Sequence, residues 1–196
     1  MIDDDQGLSD IDNVKPAETS LKTEKKRTKY APQQNPKVGI VMGSDSDLGV
    51  MAETASVLEK LAIPFEMTVA SAHRSPKRAA QFASSARRRG INVIIAGAGH
   101  AAHLAGAMAA HTSLPIIGVP IDSSCLLGFD ALLSTVQMPP GVPVATVSIG
   151  KPGAKNAGVL AAQILALSDP DLEKRLRDYK KEMASQVVQK AKKLKR

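Results

Sequence analysis

From Lys37 onward, short apolar runs rich in β-branched residues alternate with longer Ala- and Leu-rich stretches of helical period. A helix between every two strands brings each strand back parallel to the last, so the alternation predicts repeated βαβ units around a parallel sheet with helices on its faces. The predicted strands are Val38–Met42, Glu66–Ala70, Val93–Ala98, Ile116–Val119 and Val144–Val147. The predicted helices are Leu48–Leu61, Pro76–Arg89, Ala101–Ala110, Gly128–Thr135 and Ala154–Ala166. In the first helix Met51, Ala55, Leu58 and Ala62 share one face, which is read as the face toward the sheet.

A chain of 196 residues, 43% of them hydrophobic, suffices for one well-buried core and not for two full domains. Residues 1–36 mix acids, lysines, Pro, Gln and Asn without apolar periodicity and are read as a disordered leader. Residues 37–168 form the α/β domain. Residues 169–196 read as a C-terminal helix and basic tail, with Leu172, Leu176, Tyr179 and Met183 at helical spacing. That stripe is too narrow for a core helix and needs a partner, either its own domain or a neighbouring subunit.

No run approaches the ~20 apolar residues of a membrane span, and Met1 to Asp12 is acidic where a presequence is basic, so a cytoplasmic protein without membrane partners is expected. The single cysteine, Cys125, excludes an internal disulfide and an all-thiolate metal site. Of the net charge of +7, residues 169–196 supply most, with ten basic and five acidic residues. Aromatic residues are only 3% and no basic stretch is interleaved with them, which argues against nucleic acid as a partner.

In an open parallel sheet the loops after the strand C-termini converge on one edge, where ligands bind. The first such loop, Gly43-Ser44-Asp45-Ser46-Asp47, runs straight into a helix; its hydroxyls and amide N–H groups suit a phosphate, Asp47 suits ribose hydroxyls, and the same residues suit a plain helix cap. The second is Ser71-Ala72-His73-Arg74-Ser75-Pro76, with Ser75 as cap and Pro76 in the first turn of the next helix. Arg74 has the forked guanidinium that grips phosphate, and His73 has the side-chain type that titrates near neutrality; such a pair also occurs as ordinary solvated surface.

The third loop, Ala96 to Gly106, is nearly devoid of side-chain bulk, which lets a flat ligand approach the backbone or lets a helix pack tightly on the sheet. His100, His103 and His111 raise a metal reading, with the first two on one helix face, but no carboxylate or thiol completes a set, so no metal is assigned. The later stretches Pro120–Cys125 and Ser134–Pro143 read as rigid pocket walls, and Gly150 to Asn156 as a further amide nest or cation source.

Together, Val41-Met-Gly-Ser-Asp-Ser-Asp47, Ser71-Ala-His-Arg74, Ala96-Gly-Ala-Gly99 with Ala101-Ala-His-Leu104, Thr135-Val-Gln-Met-Pro139, Gly150-Lys151 and Asn156 resemble the 5-(carboxyamino)imidazole ribonucleotide mutase family, over about residues 37–185. The resemblance implies a three-layer flavodoxin-like subunit, a homo-octamer, and conversion of the carboxyamino ribonucleotide to 4-carboxy-5-aminoimidazole ribonucleotide in purine biosynthesis. It implies His73 as the catalytic residue, Ser44, Asp47 and Arg74 as ribonucleotide ligands with Ser46 and Ser71 nearby, and Gly97, Ala98, Gly99 and His103 around the migrating carboxylate. One imidazole that protonates the carbamate and later removes the ring proton needs no ATP, metal or organic cofactor. The chain departs from the family pattern at His100, where a glycine or other small residue is usual. Two alternatives stand beside the mutase: a carboxylase that takes free carbon dioxide, and a flavin-binding module, for which the few aromatic residues offer little to flank a flavin ring.

Overall fold

The computed structural model of the chain describes residues 34–194, so all but the last three residues of the predicted leader lie outside the described residues. Five strands form one parallel sheet: β1 (Val38–Met42), β2 (Phe65–Val69), β3 (Val93–Gly99), β4 (Ile116–Ile121) and β5 (Ala145–Thr146), in the spatial order β2-β1-β3-β4-β5. All of β1 and β4 and the first five residues of β3 are buried, as expected of strands covered on both faces.

The helices between them are α1 (Leu48–Lys60), α2 (Pro76–Ala86), α3 (Leu104–His111) and α4 (Phe129–Val136), and β5 is followed by α5 (Gly150–Ala166) and α6 (Pro170–Lys193). Helices α1 and α5 pack together on one face, while α2 and α3 pack on the other, with α4 against β4 and β5. On the α2–α3 side Val41, Ala83, Ile94, Leu104 and Met108 belong to one continuous apolar core. The three-layer, flavodoxin-like arrangement with an added C-terminal helix is therefore present.

Several boundaries differ from the sequence reading, each for a local reason. Ala62 leaves the predicted apolar stripe because α1 ends at Lys60 and Ala62 takes a left-handed φ of 52°, its N–H bonding the Glu59 carbonyl; the buried face is Met51, Thr54, Ala55, Val57 and Leu58. Helix α5 starts four residues earlier than Ala154, since Pro152 falls in the first turn, where its missing N–H costs nothing, and Gly153 admits the Ser148 carbonyl where a Cβ would overlap it. Strand β5 is only two residues long, an exposed edge fed by Pro143, which has no ladder donor.

Helix α6 is capped by Asp169, whose carboxylate accepts the Leu172 N–H at 2.9 Å. Its first half finds a partner within its own domain: Leu172 and Leu176 are buried, and Arg175 Nε donates to the Leu61 carbonyl at 2.9 Å. Beyond Tyr179 the stripe runs out into Met183, Val187 and Val188, all exposed.

The α1–α5 contact is close because Gly158 lies against Val57 and the Thr54 carbonyl. Thr54, fully buried, seals it with a 2.7 Å hydrogen bond from its hydroxyl to the Ala154 carbonyl. Thr54→Val keeps the volume and removes that bond, so it should cost about 1–2 kcal/mol. A urea titration reads this as a lower midpoint at unchanged slope.

Candidate active site

In the order β2-β1-β3-β4-β5 the chain leaves β1 toward one edge of the sheet and leaves β3 toward the other. The helices that follow diverge and open a crevice at the C-terminal ends of these two strands, the position where such sheets hold ligands. A cleft of about 520 Å³ fills it, the size of a small-molecule site.

The first wall is the turn after β1. A 3₁₀ turn, Asp45–Asp47, intervenes before α1, so the hydroxyls cap this turn and not the long helix as the sequence suggested. Ser44 and Asp47 form a reciprocal capping box: the Ser44 hydroxyl accepts the Ser46 N–H at 3.4 Å, and the Asp47 carboxylate accepts the Ser44 N–H at 3.2 Å. The capping reading and the cleft reading thus coexist, since Ser44, Ser46 and Asp47 all line the cleft. Asp47 is only 6% exposed. Burial pushes its carboxyl above the ordinary carboxylate range, and hydrogen bonds from Ser44 and Ser46 with the charges of Arg74 and His100 pull it back in part.

The second wall is Ser71 to Arg74. Arg74 reaches across to the first wall, its Nη2 donating to the Gly43 carbonyl at 3.0 Å, while its N–H donates to the Ser71 hydroxyl at 3.1 Å. Ser75 stands at the N-cap of α2 but makes no side-chain cap; its hydroxyl instead donates to the Ser71 carbonyl at 3.2 Å and accepts the Ser71 N–H at 2.9 Å, tightening the loop that presents His73.

The third wall is the small-residue loop after β3. Helix α3 begins at Leu104, three residues later than predicted: the chain turns at His100, with a left-handed φ of 54°, and stays irregular through Ala102 before His103 takes the N-cap position. His100 and His103 therefore precede the helix and do not share a face of it. His103 instead turns to His73: its Nδ1 lies 2.9 Å from His73 Nε2, the rings edge-to-face at 86° with centroids 5.0 Å apart. His100 Nδ1 lies 3.3 Å from the Ser123 hydroxyl.

Of the residues singled out from the sequence, Ser44, Ser46, Asp47, Ser71, His73, Arg74, Ala98, Gly99 and His103 all line the cleft. Gly97 does not; it is buried beneath the floor, where a Cβ would overlap the Met51 sulfur of α1. Gly99 has a comparable role on the floor itself, since a Cβ there would overlap the Ser123 hydroxyl.

Among the later stretches only Ser123 reaches the cleft, and β4 takes in Pro120 and Ile121. The segment after Thr135 follows α4 back to the opposite edge, where Gly141, Val142 and Pro143 face the end of α3 and the start of β4. Gly150 sits beside Asp122 at the correct edge without lining the cleft. His111 ends α3 and is likewise outside it, and no group of three or more His, Cys, Asp or Glu among the described residues is placed to hold a metal.

Ala72, Ala101 and Leu104, which the sequence reading placed in these loops without an individual role, also line the cleft. Sequence reasoning could not foresee the His73–His103 contact, which joins positions 30 residues apart on separate loops.

These features define a flavodoxin-like α/β protein whose switch-point cleft combines a guanidinium, hydroxyl groups and a paired imidazole. The AIR carboxylase family model matches residues 37–186, and the chain belongs to that family. It is 56% identical to the N5-carboxyaminoimidazole ribonucleotide mutase of Pyrococcus horikoshii over 82% of this chain and 90% of that protein. It is 57% identical to the protein of the same name in Bacillus subtilis, over 78% of this chain and 94% of that one. Among solved structures, Treponema denticola PurE superposes with a TM-score of 0.73 at 30% identity, covering 82% of this chain and 99% of that chain.

Because burial makes the Asp47 carboxyl harder to deprotonate in the folded chain, its contribution to stability is fully present below the ordinary carboxylate range and is lost as pH rises through the raised value. Asp47→Asn retains an acceptor for the Ser44 N–H and removes the buried charge. It should raise the melting temperature at about pH 7.5 and give little gain at about pH 3.5, where the carboxyl is mostly protonated in both states. Thermal unfolding at the two pH values checks this.

Proposed function

We propose that the chain is a mutase that moves the carboxylate of 5-(carboxyamino)imidazole ribonucleotide from the exocyclic amine to the ring carbon in purine biosynthesis, with His73 as proton carrier. The observation that carries this reading is the His73 imidazole standing in the switch-point cleft with Ser44, Asp47 and Arg74, its Nε2 held by His103. Relatives more than half identical to the chain bear the mutase name, which supports it further.

In this reading the Ser44 and Ser71 hydroxyls and the Arg74 guanidinium take the phosphate by charge-assisted hydrogen bonds, and Asp47 accepts from the ribose hydroxyls. The Gly43 carbonyl holds Arg74 over the first wall, so little side-chain freedom is left to lose on binding.

The substrate is a carbamate, which loses carbon dioxide once its nitrogen is protonated. With His73 Nε2 engaged by His103, Nδ1 is the nitrogen that exchanges a proton with the substrate. His73 as imidazolium gives its proton to the carbamate nitrogen, and the C–N bond breaks to release carbon dioxide. The chamber beside Ala98, Gly99 and Ala101 holds the gas next to the electron-rich ring carbon, which attacks it at high effective concentration. His73, now neutral, removes the proton from that carbon and returns to its starting state. The proton and the carboxylate are both conserved over the cycle, and His103 acts by orienting the ring that moves the proton.

The family description, AIR carboxylase, favours a second reading in which free carbon dioxide and the aminoimidazole ribonucleotide are the substrates. The same imidazole and chamber serve both. An assay on the carboxyamino ribonucleotide in labelled bicarbonate without ATP separates them: conversion with no label in the product supports the mutase, and full equilibration with the label supports the carboxylase.

In the same assay His73→Asn should lose turnover by two orders of magnitude or more, an estimate for a general acid–base residue, while it still binds the ribonucleotide. Arg74→Ala should do the reverse in emphasis, weakening binding by about 2 kcal/mol. Near-normal turnover in the first variant, or unchanged affinity in the second, would remove that residue from its role.

We place the protein in the cytoplasm, as an α/β catalytic domain over residues 37–168 with a leader before it and a helix and tail after it. No helix among the described residues is long and apolar enough to cross a membrane. We propose a homo-octamer, supported by the exposed apolar residues Leu126, Leu127, Phe129, Leu133 and Val136 on α4 and the loop before it. Light scattering should return the mass of eight chains, and Phe129→Glu should lower it; a wild-type monomer would overturn the assembly.

A further inference from the structure

We propose that His100 is a substrate-contacting residue: its imidazolium matches an anionic group of the bound ribonucleotide, so that affinity is strengthened when the ring is protonated. The inference rests on the mutase reading of the cleft, which supplies the ribonucleotide as occupant.

The charge inventory of the cleft motivates it. The substrate of that reading carries two anionic groups, a phosphate and a carboxylate, whereas Arg74 is the one permanent cation among the residues that line the cleft. Arg74 already gives one of its donors to the Gly43 carbonyl. His73 and His103 are committed to each other. The His73 imidazolium can match one more negative charge, but a phosphate monoester carries nearly two near neutrality, so about one is still unmatched, and His100 is the remaining lining side chain outside the His73–His103 pair that can become positive.

Its geometry suits the task. His100 is exposed on the wall after β3, and Ser123 from the loop after β4 lies 3.3 Å from its Nδ1. That contact holds the ring at the rim and leaves Nε2 without a hydrogen-bond partner among the described residues. The backbone is left-handed at this position, with φ 54°, where glycine or asparagine fits more easily than an imidazole-bearing residue. An imidazole kept at such a place has no packing role to explain it, since the side chain is in the open.

The groups facing the ring are Asp47 from the turn after β1 and Asp130 from α4, with Ser123 and Ser124 between strand and helix, and Arg74 on the second wall of the cleft. Both carboxylates interact with the charge of His100. Asp130 is held below the ordinary carboxylate range, first by a hydrogen bond with Ser124, and lies within electrostatic reach of His100.

The test uses the full-length chain, titrated calorimetrically with 4-carboxy-5-aminoimidazole ribonucleotide at about pH 6 and about pH 8.5, on either side of an imidazole's usual range. His100→Asn tolerates the left-handed backbone and removes the charge; His100→Lys makes the charge permanent. Relative to the wild type, His100→Asn should bind about five-fold more weakly at the lower pH and less than two-fold more weakly at the higher, as expected of one lost charged contact. His100→Lys should bind tightly at both. A merely structural role predicts the same loss at both pH values and no rescue by lysine, and that result would overturn the proposal.

Two further probes identify the anion: aminoimidazole ribonucleotide, which has the phosphate alone, and the carboxylated nucleoside, which has the carboxylate alone. The pH-dependent ratio persists with the probe whose anion His100 meets, and its absence with both overturns the proposal. If the wild type binds none of these ligands, the mutase reading itself fails; if it binds and turns over with a pH-independent ratio, only the assignment of His100 fails.

Discussion

Pairing of β1 with β3 determines where everything else in the domain can lie. Val38 to Met42 runs in register with Val93 to Gly97 at the centre of the sheet, with both strands buried through their shared length. From their C-terminal ends the chain departs in opposite directions, and the gap between those departures cannot be filled by either following helix. The polar cleft is thus a consequence of the topology before it is a property of any side chain. Three turns then converge on it because each follows a strand that points the same way.

That dependence explains why the site was more legible in the sequence than some of the fold's details were. Motifs directly after strands land on the binding edge whenever the strands are read correctly, and apolar runs such as Val38–Met42 leave little ambiguity. The misplacements occurred where local rules met tertiary contacts. Ser134 to Pro143 looked like a wall, but α4, which takes in the first three of these residues, carries the chain to the far edge, as Val142 and Pro143 against the end of α3 make plain. Gly97 looked like cleft lining, but it lies two residues short of the end of β3, buried beneath Met51 of α1. The start of α5 was hidden because Pro152 and Gly153 are read as breakers, although a proline is harmless in a first turn. What no spacing could reveal is a contact across loops: the His73–His103 pair exists only once β2 and β3 have been placed on either side of β1.

The chemistry of the cleft draws on groups that serve structure as well. Asp47 closes a capping box while Ser44 and Ser46 of the same turn still line the cleft, and its burial leaves the carboxyl harder to ionise than an ordinary one. Ser71 receives the Arg74 N–H on its hydroxyl and is clamped by Ser75, so the loop that carries the imidazole is pre-shaped without a ligand. Such double use ties the rigidity of the site to the stability of the turns that form it.

The floor beneath this edge has a further meaning. Gly97 and Gly99, two residues apart on one strand, let the Met51 sulfur and the Ser123 hydroxyl come so near that neither site has room for a single extra carbon. A methyl at either position would have to displace the buried Met51 side chain or the Ser123 side chain from its present place. The gauge of the opening is therefore recorded in two missing methyl groups, and descendants of this chain can remodel its preference for ligands through the rim while the bed of the channel stays closed to variation.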